Sequence, residues 1–296
     1  MLIPINYFNK LGRCGLENIS KTANEMADYV TANILRLTTH DFIAKQQSKF
    51  LKHCKLSLKQ NEFIVISDFA ENYSFVVQNE VQGWHWANAQ CTIHPFSIYY
   101  KNDSNEISHI SLVIISECLK HDFVAVHLFQ RKLLDFLKNR FNEIKKIFFF
   151  SDGAGGQYKN KKNFYNICQM KKDYKIDVEW HFFATSHGKG PCDAIGGTLK
   201  RLAAIASVQR VYDKHILTAY DLYEWAINKY TVMQYIYCST NQYDEHYTKL
   251  ENEMKNLKIK TLQGTQSFHS FIPINEKKIE AKVFSFSSDS KYFNLV

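Results

Sequence analysis

The stretch that decides the fold is residues 147–160, which read Ile-Phe-Phe-Phe-Ser-Asp-Gly-Ala-Gly-Gly-Gln-Tyr-Lys-Asn. The four apolar residues that open it predict a strand buried on both faces of a sheet. This strand ends abruptly at Asp152, and the glycines that follow let the backbone turn sharply. An acid at the tip of a core strand, beside a turn that a phosphate can approach, is suited to holding a metal ion. The alternative is that Asp152 caps a helix that follows an interior strand.

Two further acids occupy equivalent places. Residues 63–67 read Phe-Ile-Val-Ile-Ser, a second fully apolar strand, and Asp68 follows directly. Asp193 comes after a Gly/Pro loop and opens a predicted helix that runs to about residue 211. If the two apolar strands are neighbours, Asp68 and Asp152 lie side by side and the helix delivers Asp193 to the same point. Helix capping is the alternative role for Asp193.

The remaining pattern predicts an α/β domain. Three antiparallel strands are followed by a long helix, a strand, a helix, a strand and a helix, which is the layout of an RNase H-like mixed sheet covered by helices. We therefore expect an RNase H-like domain with a helical N-terminal extension and a small C-terminal extension. The predicted regions are a helical N-terminal region at 1–60, with helices at 19–37 and 41–59, the RNase H-like domain at 61–212, and helices and short strands at 213–296.

Composition narrows the class of protein. The chain has 296 residues, of which 45% are hydrophobic, so a folded protein is expected and not a disordered tail. Its net charge of +8 suits a polyanion such as nucleic acid. Seven cysteines without a Cys-x-x-Cys pair favour free thiols in a reducing, intracellular compartment. We find no apolar run of roughly 18 residues and no signal-peptide pattern, so we expect no membrane partner.

Three carboxylates that converge in a site of low dielectric repel one another, so such a cluster implies a bound cation. Ligands that are all oxygen atoms indicate Mg²⁺ or Mn²⁺. Two such ions, about 4 Å apart, can activate a water or a 3′-hydroxyl and stabilise the leaving oxygen of a phosphoryl transfer. The sequence thus predicts that Asp68, Asp152 and Asp193 are both the metal ligands and the catalytic residues.

With this order of strands, the three acids resemble the DDE/D catalytic triad of cut-and-paste transposases and retroviral-type integrases. The phrases at 67–73 (Ser-Asp-Phe-Ala-Glu-Asn-Tyr), 156–160 (Gly-Gln-Tyr-Lys-Asn) and 187–193 (His-Gly-Lys-Gly-Pro-Cys-Asp) are similar to transposon-derived animal proteins. The resemblance covers about residues 40–235, and the third acid is Asp where Glu is commonest. It implies a metal-dependent DNA nuclease and strand transferase, with transposon ends or target DNA as partner and the nucleus as location. A homo-oligomer is compatible with it.

Residues beside the acids are candidates for contact with DNA. Lysine amines suit phosphates and a tyrosine ring can stack on an unpaired base. The candidates are Gln157, Tyr158, Lys159, Asn160, His187 and Lys189. For the first four, the alternative is a polar helix start with solvated lysines.

Other readings of the whole chain stay open. A domesticated, non-catalytic DNA-binding or scaffold protein that retains the RNase H-like fold is the alternative function, and no separate DNA-binding module is evident in the sequence. A 3′–5′ exonuclease of the same fold is disfavoured, because those enzymes place a second acid two residues after the first and position 70 is Ala.

Overall fold

The computed structural model describes residues 2–8, 14–76, 89–185, 190–209 and 216–296. The chain forms two compact units, Met1–Lys45 and Gln46–Val296. Among the described residues, no helix combines the length and the apolar character that crossing a membrane requires.

The first unit begins with a β-hairpin. Strand β1 (Leu2–Phe8) pairs antiparallel with β2 (Cys14–Ser20), with Leu2 opposite Ser20. The prediction that residues 1–60 are helical throughout is therefore wrong for this stretch. The helix expected from residue 19 begins at Ala23, because Thr22 and Glu25 form a reciprocal cap there: the Glu25 amide donates to the Thr22 hydroxyl and the Thr22 amide to the Glu25 carboxylate.

Helix α1 (Ala23–Ser57) then runs without a break, where two helices separated near residue 40 were predicted. The hydroxyl groups of Thr38 and Thr39 both donate to the carbonyl of Leu35, one turn earlier in the helix. Hydroxyls bonded backwards in this way do not cap a new helix, so the chain continues through them.

The described residues of the second unit form one mixed sheet of ten strands covered by helices, which confirms the predicted α/β class. Its strands are β3 (Glu62–Ser67), β4 (Tyr73–Ser74), β5 (Gln90–Lys101), β6 (Ile107–Ser116), β7 (Lys146–Ser151), β8 (Asp177–Phe182), β9 (Gln234–Cys238), β10 (Ser270–Asn275), β11 (Lys278–Lys282) and β12 (Lys291–Asn294). Its helices, besides the end of α1, are α2 (Phe123–Arg140), α3 (Lys161–Tyr174), α4 (Pro191–Gln209), α5 (Ala219–Lys229) and α6 (Thr240–Met254), with a 3₁₀ turn at Thr265–Ser267.

The strands lie in the order β12-β11-β10-β8-β7-β3-β5-β6-β9, and β4 pairs with β5 off this path. Strand β5 lies between β3 and β6 and is antiparallel to both, whereas β7 is parallel to both β3 and β8. The central strand β3 is buried on both faces, which explains its unbroken apolar run. Phe63 and Val65 pack with α2 and α3, and Ile64 and Ile66 pack with the end of α1.

The C-terminal region, residues 213–296, adds strands to the same sheet. Strand β9 pairs with β6 at one edge of the sheet, and β10 pairs with β8 towards the other. Without these partners, β6 and β8 would be edge strands with unpaired backbone groups, and the C-terminal strands pair with both. Residues 61–212 and 213–296 consequently belong to one compact unit, together with the last part of α1.

Candidate acid cluster at the sheet end

The parallel pairing of β3 and β7 brings two of the predicted acids together. Ile66 of β3 lies opposite Phe150 of β7, and Asp68 and Asp152 each come two residues later. Both side chains are half-buried. Asp68 and Asp152 therefore sit at the same end of neighbouring central strands, as the sequence predicted.

Helix α4 brings the third acid to this end of the sheet. Pro191 opens the helix and Asp193 lies in its first turn. Between them, the Cys192 thiol donates to the carbonyl of Ile66, at 3.3 Å. Further along, a Cβ at Gly196 would lie 3.0 Å from the Cβ of Ala70, so the helix approaches the chain after β3 as closely as a glycine allows.

The pKa of Asp68 is affected by the charges of both other acids. Burial, the charge of Asp152 and the charge of Asp193 raise the pKa of Asp68 to about 7, against a lowering contribution from the Phe69 amide. Burial also raises the pKa of Asp152, although its carboxylate accepts a hydrogen bond from the Ala154 amide at 3.1 Å. A buried carboxyl group whose ionised form is disfavoured by two nearby acids is one that a bound cation would stabilise.

The donor set fits a hard divalent cation, because all three side chains offer carboxylate oxygens and the pKa of Asp68 reports uncompensated negative charge. Within the described ranges, no three His, Cys, Asp or Glu side chains are grouped closely enough to enclose an ion as they stand. One oxygen of Asp152 accepts from Ala154, and one of Asp193 accepts from the Gly190 amide at 3.2 Å. The bond to Asp193 is the helix-capping role that the sequence left open, whereas Asp152 closes a turn and caps no helix, because α3 begins at Lys161 with Asn160 as its cap.

A buried polar layer that the sequence did not predict supports the acids. The Tyr158 hydroxyl lies 2.8 Å from Nε2 of His94, and burial together with the charges of Asp68 and Asp152 raises the pKa of Tyr158 well above its usual range. Beside it, Trp180 Nε1 donates to the Ser151 hydroxyl at 3.0 Å. In the sequence, His94 stands before Pro95 in a strand of alternating apolar and polar residues, a pattern that indicates an edge or a bulge and not a buried partner for Tyr158.

The side chains predicted to contact DNA mostly support the turn after Asp152. Tyr158 is 1% exposed, so the prediction that it stacks on a base is wrong. Lys159 is 4% exposed and donates to the Gln266 carbonyl at 3.1 Å, and burial lowers its pKa to about 8. Asn160 caps α3 by accepting from the amides of Lys162 and Asn163. These residues lie between a strand and a helix. The sequence alone did not show whether their side chains are packed inside the protein or exposed to a ligand.

Gln157 is half-buried, and its carbonyl accepts from the side chains of Asn160 and Asn163. His187 and Lys189 lie outside the described residues. A cation that the sequence analysis missed is Lys200, which is half-buried on α4 and whose ammonium donates to the carbonyl of Glu71, three residues after Asp68.

Comparison with known proteins gives one match. No curated protein matches the chain, and no solved structure does. A family model described as a domain of unknown function, DUF8701, matches residues 47–285, which include all three acids and nearly all of the second compact unit. The chain therefore belongs to the DUF8701 family.

Proposed function

We propose that the second unit is an RNase H-like catalytic domain that acts on DNA as a transposase-like nuclease and strand transferase, with Mg²⁺ or Mn²⁺ held by Asp68, Asp152 and Asp193. The strand order supports this fold: three antiparallel strands, β3, β5 and β6, are followed by parallel β7 and β8, and β3 and β7 are adjacent at the centre. The acids follow these two central strands and open the helix after β8.

The observation that carries the proposal is that Asp68 and Asp152 follow adjacent parallel strands at the same end of the sheet, where the charge of Asp193 on α4 also reaches Asp68. Burial and the charges of Asp152 and Asp193 raise the pKa of Asp68, so its ionised form destabilises the folded chain. Costly arrangements of this kind cluster at functional sites. A purely structural sheet end would be more stable with amides at the same positions.

The chain's own residues would bind the ion and hold the geometry. Bound divalent ions would supply Lewis-acid activation of the attacking hydroxyl and stabilisation of the leaving oxygen at a phosphodiester. Asp68 and Asp152 would be the ligands from rigid strands, and Asp193 the ligand from α4. Tyr158 is buried, lies near enough to Asp68 and Asp152 for their charges to raise its pKa, and is held in place by its hydrogen bond to His94. The net charge of +8 favours approach of a polyanion.

A second candidate is a non-catalytic DNA-binding or scaffold protein that keeps this fold. The hydrogen bonds from Ala154 to Asp152 and from Gly190 to Asp193 favour it, because both acids already have structural partners. DNA affinity should fall steeply with salt under either candidate, since both rely on phosphate contacts. Cleavage separates the two.

The test begins with Mn²⁺ binding by calorimetry. We compare the wild type with the double variant Asp68→Asn, Asp152→Asn, and use Asp103→Asn, which changes an exposed acid in the β5–β6 turn, as the control. Binding by the wild type and the control but not by the double variant supports convergence of the acids. Cleavage of DNA ends by the wild type in Mn²⁺, abolished by Asp152→Asn, then supports the enzyme. Equal binding by all three proteins would refute the metal site, and binding without cleavage would favour the second candidate.

A further inference from the structure

A small cavity of about 180 Å³ is lined by residues of α2, α3 and α6. Val124 and Leu250 are buried and give it an apolar lining, and Tyr247, which is 39% exposed, offers an aromatic ring. Lys162 and Lys255 also line it and are exposed. Pockets for drug-sized ligands exceed roughly 300 Å³, so this cavity suits a single planar ring system whose attached groups remain in solvent.

The cavity lies at the end of the sheet that carries the acids. Strand β6 is antiparallel to β5, which is antiparallel to β3, so β6 and β3 run in the same direction. Helix α2 begins shortly after β6 ends, and α3 begins after the turn that follows Asp152. Phe123 and Lys162 line the cavity from the first turns of these two helices. A polymer bound at Asp68 and Asp152 can therefore extend to the cavity.

Three lysines without acidic partners surround the aromatic rings. The ammonium group of Lys162 lies 5.5 Å from the centroid of the Phe123 ring, and that of Lys120 lies 5.9 Å from the centroid of the Tyr247 ring. In the described part of the chain, neither these two lysines nor Lys255 has a carboxylate within 4.0 Å. Exposed ammonium groups of this kind suit the phosphates of a nucleic acid.

The acids near the cavity already have hydrogen-bond donors. Glu251 lines the cavity, and one oxygen of its carboxylate accepts from the Tyr247 hydroxyl at 2.8 Å. Its other oxygen can accept from the amino group of a base, as carboxylates do from cytosine. Asp122, which precedes α2, accepts from the Ala125 amide and the Tyr243 hydroxyl. The lysines are thus left to bind an anion.

We infer that this cavity binds an unpaired base of a DNA strand held at the acids, with the base on the ring of Tyr247 and its flanking phosphates on Lys120, Lys162 and Lys255. An aromatic ring for a base and cations for the backbone are the two parts of a single-strand binding site. The bases of a duplex are stacked on one another, so the ring selects an unpaired one. The inference rests on the proposed function for the identity of its ligand, but its test needs neither metal nor cleavage.

The test measures binding of a short single-stranded DNA to the full chain by fluorescence anisotropy, in the presence of a chelator. Tyr247→Leu should weaken binding roughly tenfold, because one stacked base is lost. Tyr292→Leu is the matched control and should bind like the wild type, since Tyr292 is also an exposed tyrosine beside a lysine but lies on β12. An abasic strand with the same number of phosphates should bind the wild type and Tyr247→Leu equally.

The salt dependence of binding tests the lysines. Lys162→Gln should reduce the slope of log affinity against log salt concentration by about 0.7, the value for one phosphate contact with a single strand. Lys138→Gln should leave the slope unchanged, because Lys138 lies near the other end of α2, with its ammonium 4.3 Å from the centroid of the Tyr174 ring. The melting temperatures of these variants should match that of the wild type, since the replaced side chains are exposed.

Equal affinity of the wild type and Tyr247→Leu for the single strand, or an equal loss of affinity for the abasic strand, would overturn the inference. The double variant Asp68→Asn, Asp152→Asn should bind the strand at least as tightly as the wild type when no metal is present. If the wild type cleaves no DNA but Tyr247→Leu loses strand binding, the proposed function fails and this inference stands. If the wild type cleaves DNA and Tyr247→Leu binds normally, the inference fails alone.

Discussion

At the scale of single residues, Asp68 links the candidate site to the stability of the fold. Its pKa is raised from 3.8 to about 7 in the folded chain. Between these values, the folded chain holds a proton that the unfolded chain has released. Stability therefore falls as pH rises from about 4 to about 7, and the penalty is complete above that range. Because the side chain is only half-buried, solvent reduces the penalty to roughly 1–3 kcal/mol.

Replacing Asp68 by Asn should remove this penalty. We expect Asp68→Asn to be more stable than the wild type by roughly 1–3 kcal/mol at pH 8, in the presence of a chelator, and equal to it near pH 4. Urea unfolding across this pH range measures the difference, with Asp103→Asn as the control. A difference that does not depend on pH would show that Asp68 is not held beside the other acids. Added Mn²⁺ should narrow the gap, because only the wild type gains from a bound cation.

The same scale shows what the sequence could reveal. Asp68 and Asp152 were predicted because each ends a run of apolar residues, a pattern that indicates a buried strand and marks the end at which the acid lies. Tyr158 and Lys159 were misjudged because a tyrosine and a lysine after a glycine turn carry no local mark of burial. Their hydrogen bonds reach His94 and Gln266, which are 64 and 107 residues distant, and contacts of this kind have no local signature.

At the scale of elements, the position of α4 decides whether Asp193 reaches the other acids. Gly196 is buried against Ala70, and an added Cβ would lie 3.0 Å from the Cβ of that residue. Gly197, its neighbour, is exposed and an added Cβ would meet nothing within 4 Å. Alanine at either position raises helix propensity, but only alanine at Gly196 crowds Ala70. Comparing the two substitutions therefore separates the effect of helix propensity from the effect of helix position.

We expect Gly196→Ala to push the start of α4 away from β3 by a few tenths of an ångström. Asp193 then contributes less to the charge around Asp68, so the pKa of Asp68 should fall and Mn²⁺ should bind more weakly. The gain in helix propensity, up to about 1 kcal/mol, offsets the crowding, so stability should change little. Carboxyl-carbon NMR titration of Asp68 measures the pKa.

Gly197→Ala provides the comparison: it should stabilise the fold by roughly 0.5–1 kcal/mol and leave the pKa of Asp68 unchanged. If both variants leave the Asp68 titration unchanged, the close approach of α4 does not position Asp193.

Elements also differ in how far the sequence predicts them. Strands β3, β5, β6, β7 and β8 and helix α2 were predicted in their observed order, because long periodic patterns and fully apolar runs are strong signals. The pairing of β1 with β2 was missed, and the Thr22–Glu25 cap that marks the start of α1 was not recognised. Strands β9 to β12 join existing sheet edges, and only the tertiary context gives them partners.

At the scale of the whole second unit, a buried glutamine ties three distant parts of the chain together. Gln47 of α1 is 1% exposed, and its amide nitrogen donates to the carbonyls of Phe182 and His269, both at 3.0 Å. Its amide oxygen accepts from the backbone and the hydroxyl of Ser285. Both N–H groups of the side-chain amide thus donate, and its oxygen accepts twice. The partner residues lie in three different segments. The end of α1, the sheet edge at β8 and the C-terminal strands are therefore one cooperative body.

This connection predicts that residues 61–212 cannot fold alone, although sequence pattern delimits them as a domain. The fragment would lack Gln47 and would uncover Phe164, whose ring stacks on Phe271 with centroids 4.1 Å apart. Phe271 is fully buried, and its loss alone opens a cavity that costs about 3–5 kcal/mol, a large share of the stability of a typical domain.

Residues 46–296 retain every one of these contacts. We therefore expect that fragment to melt in a single transition, and we expect fragment 61–212 to show neither a cooperative transition nor dispersed amide resonances. Calorimetry and a proton–nitrogen correlation spectrum of the two fragments, prepared alike, decide the matter. A cooperative, well-dispersed fragment 61–212 would mean that the sheet core stands by itself and that the C-terminal strands are an attachment, in which case the acids could be studied in the smaller piece.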